Sequence, residues 1–210
     1  TNYILMAVLN YQRCWYDFQD AQKKNHWAQF EFDEKDLKIG VYGIGHLGMD
    51  AANALYRLGF EVFGYSNSLK ETIFPSFYGE QLLDFLNKIN VLVCTVPLTP
   101  KTRGLLCTKF FKKLPNPTYL INVSRGAVHV ENDIIKAIKQ GKLTGAFLDV
   151  FEKEPLPEES PLWQNPKIKI TPHIASLTYA KESIRQALDN FQRVKKGRKL
   201  LNEVSRDNMY

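Results

Sequence analysis

The chain has 210 residues, 44% of them apolar and 24% charged, which is enough apolar material for a buried core and excludes intrinsic disorder, collagen-like repeats and a disulfide scaffold. Its 28 basic residues outnumber 22 acidic ones for a net charge of +6, but the excess gathers at Lys195, Lys196, Arg198 and Lys199 and forms no stripe, so a solvated helix end is expected and no nucleic-acid partner. No apolar run approaches the roughly 20 residues of a bilayer span, and Cys14, Cys94 and Cys107 show neither a CxxC pair nor zinc spacing, so the expectation is a cytoplasmic protein with no membrane partner and no metal.

Residues 3–24 read as one long helix, because Ile4, Val8, Tyr11, Trp15 and Phe18 recur at helical spacing with no Pro or Gly between them. Leu5, Leu9 and Tyr16 give it a second apolar side, which predicts that something beyond the main domain covers it, a neighbouring domain or a partner subunit. A charged connector over 29–35 follows. From Leu37 onward strands expected at 38–42, 61–65, 91–96, 119–123, 144–149 and 167–170 alternate with helices expected at 46–58, 80–88, 108–113 and 131–140. A last helix is expected over 178–196. This alternation predicts an α/β fold, a Rossmann-type doubly wound parallel sheet with an N-terminal helical arm. The expected divisions are 1–36 for the arm, 37–177 for the nucleotide-binding domain and 178–210 for the final helix.

Gly43-Ile44-Gly45-His46-Leu47-Gly48 fits G-x-G-x-x-G, and its place between an apolar strand and a helix gives the pattern a mechanism. Gly43 can make the tight turn, Gly45 can let a pyrophosphate approach the backbone, and Gly48 can let helix and strand pack closely. The helix N-terminus then faces the anion. In the NAD form of this unit a carboxylate at the end of the second strand binds the ribose 2′-hydroxyl. Here that end reads Ser66-Asn67-Ser68-Leu69-Lys70, with no carboxylate to repel a 2′-phosphate and with Ser66, Asn67, Ser68 and Lys70 able to bind one. The sequence therefore favours NADP over NAD, although the Arg that often clamps the 2′-phosphate is absent.

Three further strand ends carry polar residues that a core does not need: Arg125 in Asn122-Val123-Ser124-Arg125-Gly126, Glu154 before Pro155, and His173 in Thr171-Pro172-His173. Open α/β sheets keep their ligands at this edge. With intervals of 29 and 19 residues between them, and with the glycine loop ahead of them, the chain resembles the D-isomer-specific 2-hydroxyacid dehydrogenase family, in particular its bacterial glyoxylate/hydroxypyruvate reductase branch.

The resemblance implies reduction of a small 2-oxo acid, with Arg125, Glu154 and His173 as the catalytic set. Arg125 offers a planar fork for the substrate carboxylate and carbonyl oxygens, His173 a proton donor, and Glu154 a partner that fixes the imidazole's tautomer and favours its charged form. Gly43, Gly45, His46, Leu47 and Gly48 make up the cofactor loop, His46 carrying no chemical role of its own. The same resemblance implies that Val96, Pro97 and Leu98 line the cofactor, that Thr102 lies near its phosphates, that Val123, Ser124 and Arg125 flank it, and that Asp149 faces the nicotinamide carboxamide. His129 is read as an ordinary residue and His26 as exposed at a helix end.

The resemblance further implies that most of a substrate domain of ~100 residues is absent, that Thr1 lies at the interdomain helix and that the last helix runs back toward that domain. The 210 residues alone are then expected to turn over little glyoxylate. The family's pairing through its cofactor domains implies a homodimer, with Tyr11, Trp15 and Phe18 of the first helix in the interface. Two other readings remain: a cofactor-sensing, corepressor-like interaction protein, which would not need Arg125, Glu154 and His173 together, and a fragment that binds cofactor without catalysis.

Overall fold

The computed structural model describes residues 1–29, 31–176 and 180–203. They fall into two units, one over 1–175 and a second from 176 onward, which is described by itself.

In the first unit the expected strands form as β1 (Lys38–Tyr42), β2 (Glu61–Ser66), β4 (Val91–Cys94), β5 (Thr118–Asn122), β6 (Leu143–Leu148) and β7 (Ile168–Ile170). A short strand that the sequence reading misses, β3 (Ser76–Tyr78), pairs with β2. Three residues are too few for a periodicity signal. Its Phe77 rests against Phe63 and Phe85, so side-chain packing holds an element that propensity alone does not announce. The sheet has seven strands in the order β3-β2-β1-β4-β5-β6-β7, and every pairing is parallel. The order reverses between β1 and β4, where the chain crosses from one half of the sheet to the other.

A parallel sheet must be covered on both faces, and the strands show it. In β4 the side chains of Val91 and Val93 enter one apolar cluster, while those of Leu92 and Cys94 enter the other. Helix α3 (His46–Arg57) lays Ala51, Ala52 and Leu55 on the first face. Helices α4 (Leu82–Asn87), α5 (Thr108–Phe111) and α6 (Glu131–Lys139) cover the second through Phe85, Phe110, Phe111, Ile134 and Ile138.

The N-terminal arm corrects the sequence reading. It is not one helix over 3–24 but two, α1 (Asn2–Gln12) and α2 (Trp15–Lys23), broken at Cys14, whose φ of 52° is left-handed. A non-glycine residue in that region is strained by about 1–2 kcal/mol, and no Gly or Pro announces the break. The returning connector supplies the compensation. The Cys14 thiol donates to the Asp33 carbonyl at 3.3 Å, Lys35 Nζ reaches Cys14 Sγ at 2.7 Å, and Arg13 pairs with Glu34 at 2.8 Å. One side of α1 is covered within the chain: Ile4, Ala7 and Val8 are buried against the first face, and the Tyr11 ring stacks on Tyr119 with centroids 3.7 Å apart. Met6, Leu9, Trp15 and Phe18 remain exposed.

In the second unit helix α7 runs over Ala180–Lys195. The expected start at Thr178 lies outside the described residues. Ile184, Leu188, Phe191 and Val194 recur at helical spacing and are exposed.

Candidate active site

All the strands point the same way, so the loops that leave their C-terminal ends gather along one edge of the sheet. The glycine loop follows β1, Ser66 ends β2, Val96 follows β4, Arg125 follows β5, Glu154 follows β6 and His173 follows β7. This is the edge at which doubly wound sheets hold ligands, with the reversal of strand order at its centre.

The glycine loop has the shape a dinucleotide requires. Gly43 has a φ of +108°, and a Cβ there would lie 2.8 Å from the Val96 backbone nitrogen. A Cβ on Gly48 would lie 2.1 Å from the Gly43 carbonyl oxygen, so only glycine lets α3 start this close to β1. Gly45 differs, because a Cβ on it would meet nothing within 4 Å. The chain makes no use of that space, and it opens beside the helix N-terminus, where backbone N–H groups favour an anion. The residues present therefore fit a pyrophosphate. Thr95, which the sequence reading passes over, donates its hydroxyl to the Gly43 carbonyl at 2.7 Å and ties the loop to the end of β4. A Thr directly after an apolar strand is too common to be a signal.

At the end of β2 the Ser66 hydroxyl donates to the Ser68 carbonyl at 2.6 Å, which curls the segment, and Asn67, Ser68 and Lys70 are exposed around the turn. Val96 is buried, Leu98 is half-buried and Pro97 is exposed. The Thr102 hydroxyl closes its own turn, donating to the Pro97 carbonyl at 2.6 Å and accepting the Thr99 N–H at 2.8 Å.

His173 and Glu154 meet. The imidazole Nδ1 lies 2.6 Å from Glu154 Oε2, and Glu154 Oε1 accepts the Phe151 N–H at 2.9 Å. Partial burial pushes the Glu154 carboxyl up, but the hydrogen bonds from His173 and Phe151, together with the charges of His173 and Arg125, outweigh it and hold the group below its ordinary value. An ionised carboxylate on Nδ1 fixes the tautomer and leaves Nε2 as the nitrogen able to pass a proton to a ligand. Arg125 is exposed, with Nη1 donating to the Ser124 carbonyl at 2.7 Å.

Asp149 has a task that its sequence position does not disclose. Its Oδ1 accepts the Thr171 hydroxyl at 2.6 Å and the Ile174 N–H at 2.9 Å, its Oδ2 accepts the Ala175 N–H at 2.8 Å, and its carbonyl accepts the His173 N–H at 2.9 Å. This fully buried carboxylate thereby holds His173 at a φ of 55°. Tyr3 extends the arrangement, its hydroxyl bonded to Thr171 Oγ1, so α1 is tied to the segment that carries His173.

Behind Arg125 lies a buried polar cluster. Asn122 Oδ1 accepts both the N–H and the hydroxyl of Ser124, at 3.0 and 2.7 Å, so its amide nitrogen is the donor to His129 Nδ1 at 2.7 Å. The His129 proton must then sit on Nε2, which is buried and faces no acceptor among the described residues. Burial holds the imidazole down at about 4, so it is neutral at physiological pH, and burial pushes the neighbouring Cys94 thiol up to about 11. The sequence reading of His129 as an ordinary residue gives no hint of this burial; its place in the connection between β5 and α6 hides it.

A glycine loop, a carboxylate-backed histidine and an arginine along one edge of a doubly wound sheet mark a dinucleotide-binding domain of the dehydrogenase type. The chain belongs to the D-isomer specific 2-hydroxyacid dehydrogenase family, whose NAD binding domain matches residues 5–175. It is 42% identical over 198 residues to glyoxylate/hydroxypyruvate reductase A of Photorhabdus laumondii, covering 93% of this chain and 63% of that protein's length. Among solved structures, a probable 2-hydroxyacid dehydrogenase from Rhizobium etli in complex with NADP, HEPES and L(+)-tartaric acid superposes with a TM-score of 0.94 at 34% identity, covering 100% of this chain and 68% of that one. An NADPH-dependent glyoxylate/hydroxypyruvate reductase from Sinorhizobium meliloti, in complex with NADP and sulfate, gives 0.94 at 32% identity with the same coverage.

Proposed function

We propose that this chain is the cofactor-binding part of an NADPH-dependent reductase of small 2-oxo acids such as glyoxylate and hydroxypyruvate. The hydrogen bond from His173 to Glu154, at the same sheet edge as Arg125, carries the reading. A bound nicotinamide would supply the hydride. Arg125 would hold the substrate carboxylate and orient the carbonyl, and His173 would give its proton to the carbonyl oxygen while Glu154 keeps the ring in place. A cofactor sensor has no need of this proton-donating pair.

The preference for NADPH rests on the end of β2, where 66–70 offers Ser66, Asn67, Ser68 and Lys70 with no carboxylate before Glu71. Charge-assisted hydrogen bonds of about 1.5–3 kcal/mol to a 2′-phosphate correspond to roughly ten- to a hundredfold tighter binding of NADPH than NADH. Calorimetric titration of both cofactors measures it, and equal affinities would remove the 2′-phosphate argument. In the same titration Gly45→Ala should weaken both cofactors while leaving the melting temperature unchanged, because its Cβ enters the space assigned to pyrophosphate and touches nothing else.

We also propose a homodimer through the arm. Tyr11 is stacked on Tyr119 within the chain, so the contact shifts to Trp15, Phe18 and the strongly exposed Trp27, beside a hollow lined by Phe18, Ala21 and Ala28. Each large side chain covered there contributes ~1.5–3 kcal/mol before association costs. Light scattering should give twice the chain mass at micromolar concentration, and a stable monomer would refute the assignment. Cys14, Cys94 and Cys107 form no disulfide, which supports a reducing, cytoplasmic compartment. Among the described residues no helix is long and apolar enough to cross a membrane.

A further inference from the structure

We propose that Glu131 and Glu152 act as positioning residues, forming a reciprocal latch that sets the place of Glu154 against His173. Glu131 opens α6, and its Oε1 accepts the Glu152 N–H at 2.9 Å; Glu152 Oε1 in turn accepts the Glu131 N–H at 3.1 Å. Each carboxylate thus binds the backbone of the other residue, and the pair closes a ring between the start of a helix and the loop that carries Glu154.

The loop needs such a device. Phe151 is buried and anchors one end, but Glu152, Lys153, Glu154 and Pro155 are all exposed, so burial holds none of them. Gly126 gives the latch its reach. A Cβ there would lie 1.7 Å from the Phe151 carbonyl oxygen and 2.6 Å from the Glu152 nitrogen, so the backbone after Arg125 and the backbone before Glu154 lie in direct contact. Phe151 then donates its N–H to Glu154 Oε1 at 2.9 Å. Arg125 therefore joins Glu154 through a short rigid path: the turn at Gly126, the Phe151–Glu152 backbone clamped by Glu131, and the carboxylate bonded to Phe151. The latch sets the spacing of the arginine from the carboxylate–histidine pair, which two separate loops would otherwise leave loose. Its catalytic meaning rests on the reading of His173 and Glu154 as the proton-supplying pair, whereas its geometry does not.

The test uses the NMR signal of the His173 Nδ1 proton, which a hydrogen bond of 2.6 Å moves far downfield. Glu152→Ala should broaden or abolish that signal and accelerate exchange of the Glu131 amide by roughly tenfold or more, the loss of one charge-assisted hydrogen bond. Glu152→Gln should restore both, because an amide oxygen accepts the same N–H. Glu131→Ala, cutting the ring from the other side, should likewise broaden or abolish the His173 signal, and should accelerate exchange of the Glu152 amide, whose acceptor it removes. NADPH affinity should not change in any of them, since the glycine loop is untouched. A His173 signal unaltered in both alanine variants would overturn the latch. In the protein expressed from its complete coding sequence, Glu152→Ala should lower kcat for glyoxylate with the KM for NADPH unchanged. Wild-type protein that reduces no 2-oxo acid, while Glu152→Ala still loses the downfield signal, would sink the functional reading and leave the latch standing.

Discussion

Replacing His173 with Asn should lower the rate of glyoxylate reduction by about 10²–10⁴-fold, the contribution of a positioned proton donor. Asn is the informative substitution because His173 sits at a φ of 55°, a left-handed backbone that Asn tolerates and most other residues do not. The ring is also partly exposed, so little packing is lost and the melting temperature should hold. Binding of NADPH should hold as well, since the glycine loop after β1 is unaffected. Glu154→Gln should cost less than His173→Asn, because the amide oxygen can still accept the Nδ1 proton and orient the ring. The measurement is steady-state reduction of glyoxylate by protein from the complete coding sequence. A His173→Asn enzyme within about threefold of wild type would show that the proton comes from another group, a loss far below the range expected of a general acid.

Acid should destabilise the protein through His129. Its folded value is about 4, against about 6.5 for an unfolded imidazole, because burial disfavours the charged ring, whose Nε2 meets no acceptor among the described residues. Above pH ~6.5 the ring is neutral in both states, and its contribution is fully present. Between about 6.5 and 4 the unfolded chain binds a proton that the folded chain refuses, so stability falls as pH falls. The loss is of order 3 kcal/mol, and it levels off below about pH 4, where both states are protonated. Glu154 and Asp133, both held below their ordinary values in the fold, add their own losses at lower pH. The diagnostic quantity is therefore the difference between wild type and His129→Gln in urea unfolding across pH 7 to 4.5. The variant starts less stable, since Asn122 loses its partner, but its stability should fall less steeply. Parallel curves over that window would remove His129 from the account.

Local rules made most of this protein legible in the sequence. Gly43 and Gly48 were readable because a turn with positive φ and a close helix–strand contact each forbid a Cβ, and only one residue type meets that demand. The strands were readable because burial on both faces requires unbroken apolar runs such as Val91–Cys94. Arg125, Glu154 and His173 stood out as polar residues just beyond such runs. What the sequence left undecided depends on groups far apart in the chain. The break at Cys14 is stabilised by Asp33 and Lys35, buried His129 is bonded to Asn122 at the end of β5, and the backbone of His173 is held by Asp149, 24 residues earlier. The strand β3 exists because Phe77 finds Phe63 and Phe85, and Glu131 finds Glu152 only because Gly126 lets two loops touch. Periodicity and turn chemistry act over a few residues and can be read in order along the chain; a hydrogen bond that closes a loop of twenty residues is decided by which surfaces the packed sheet brings together.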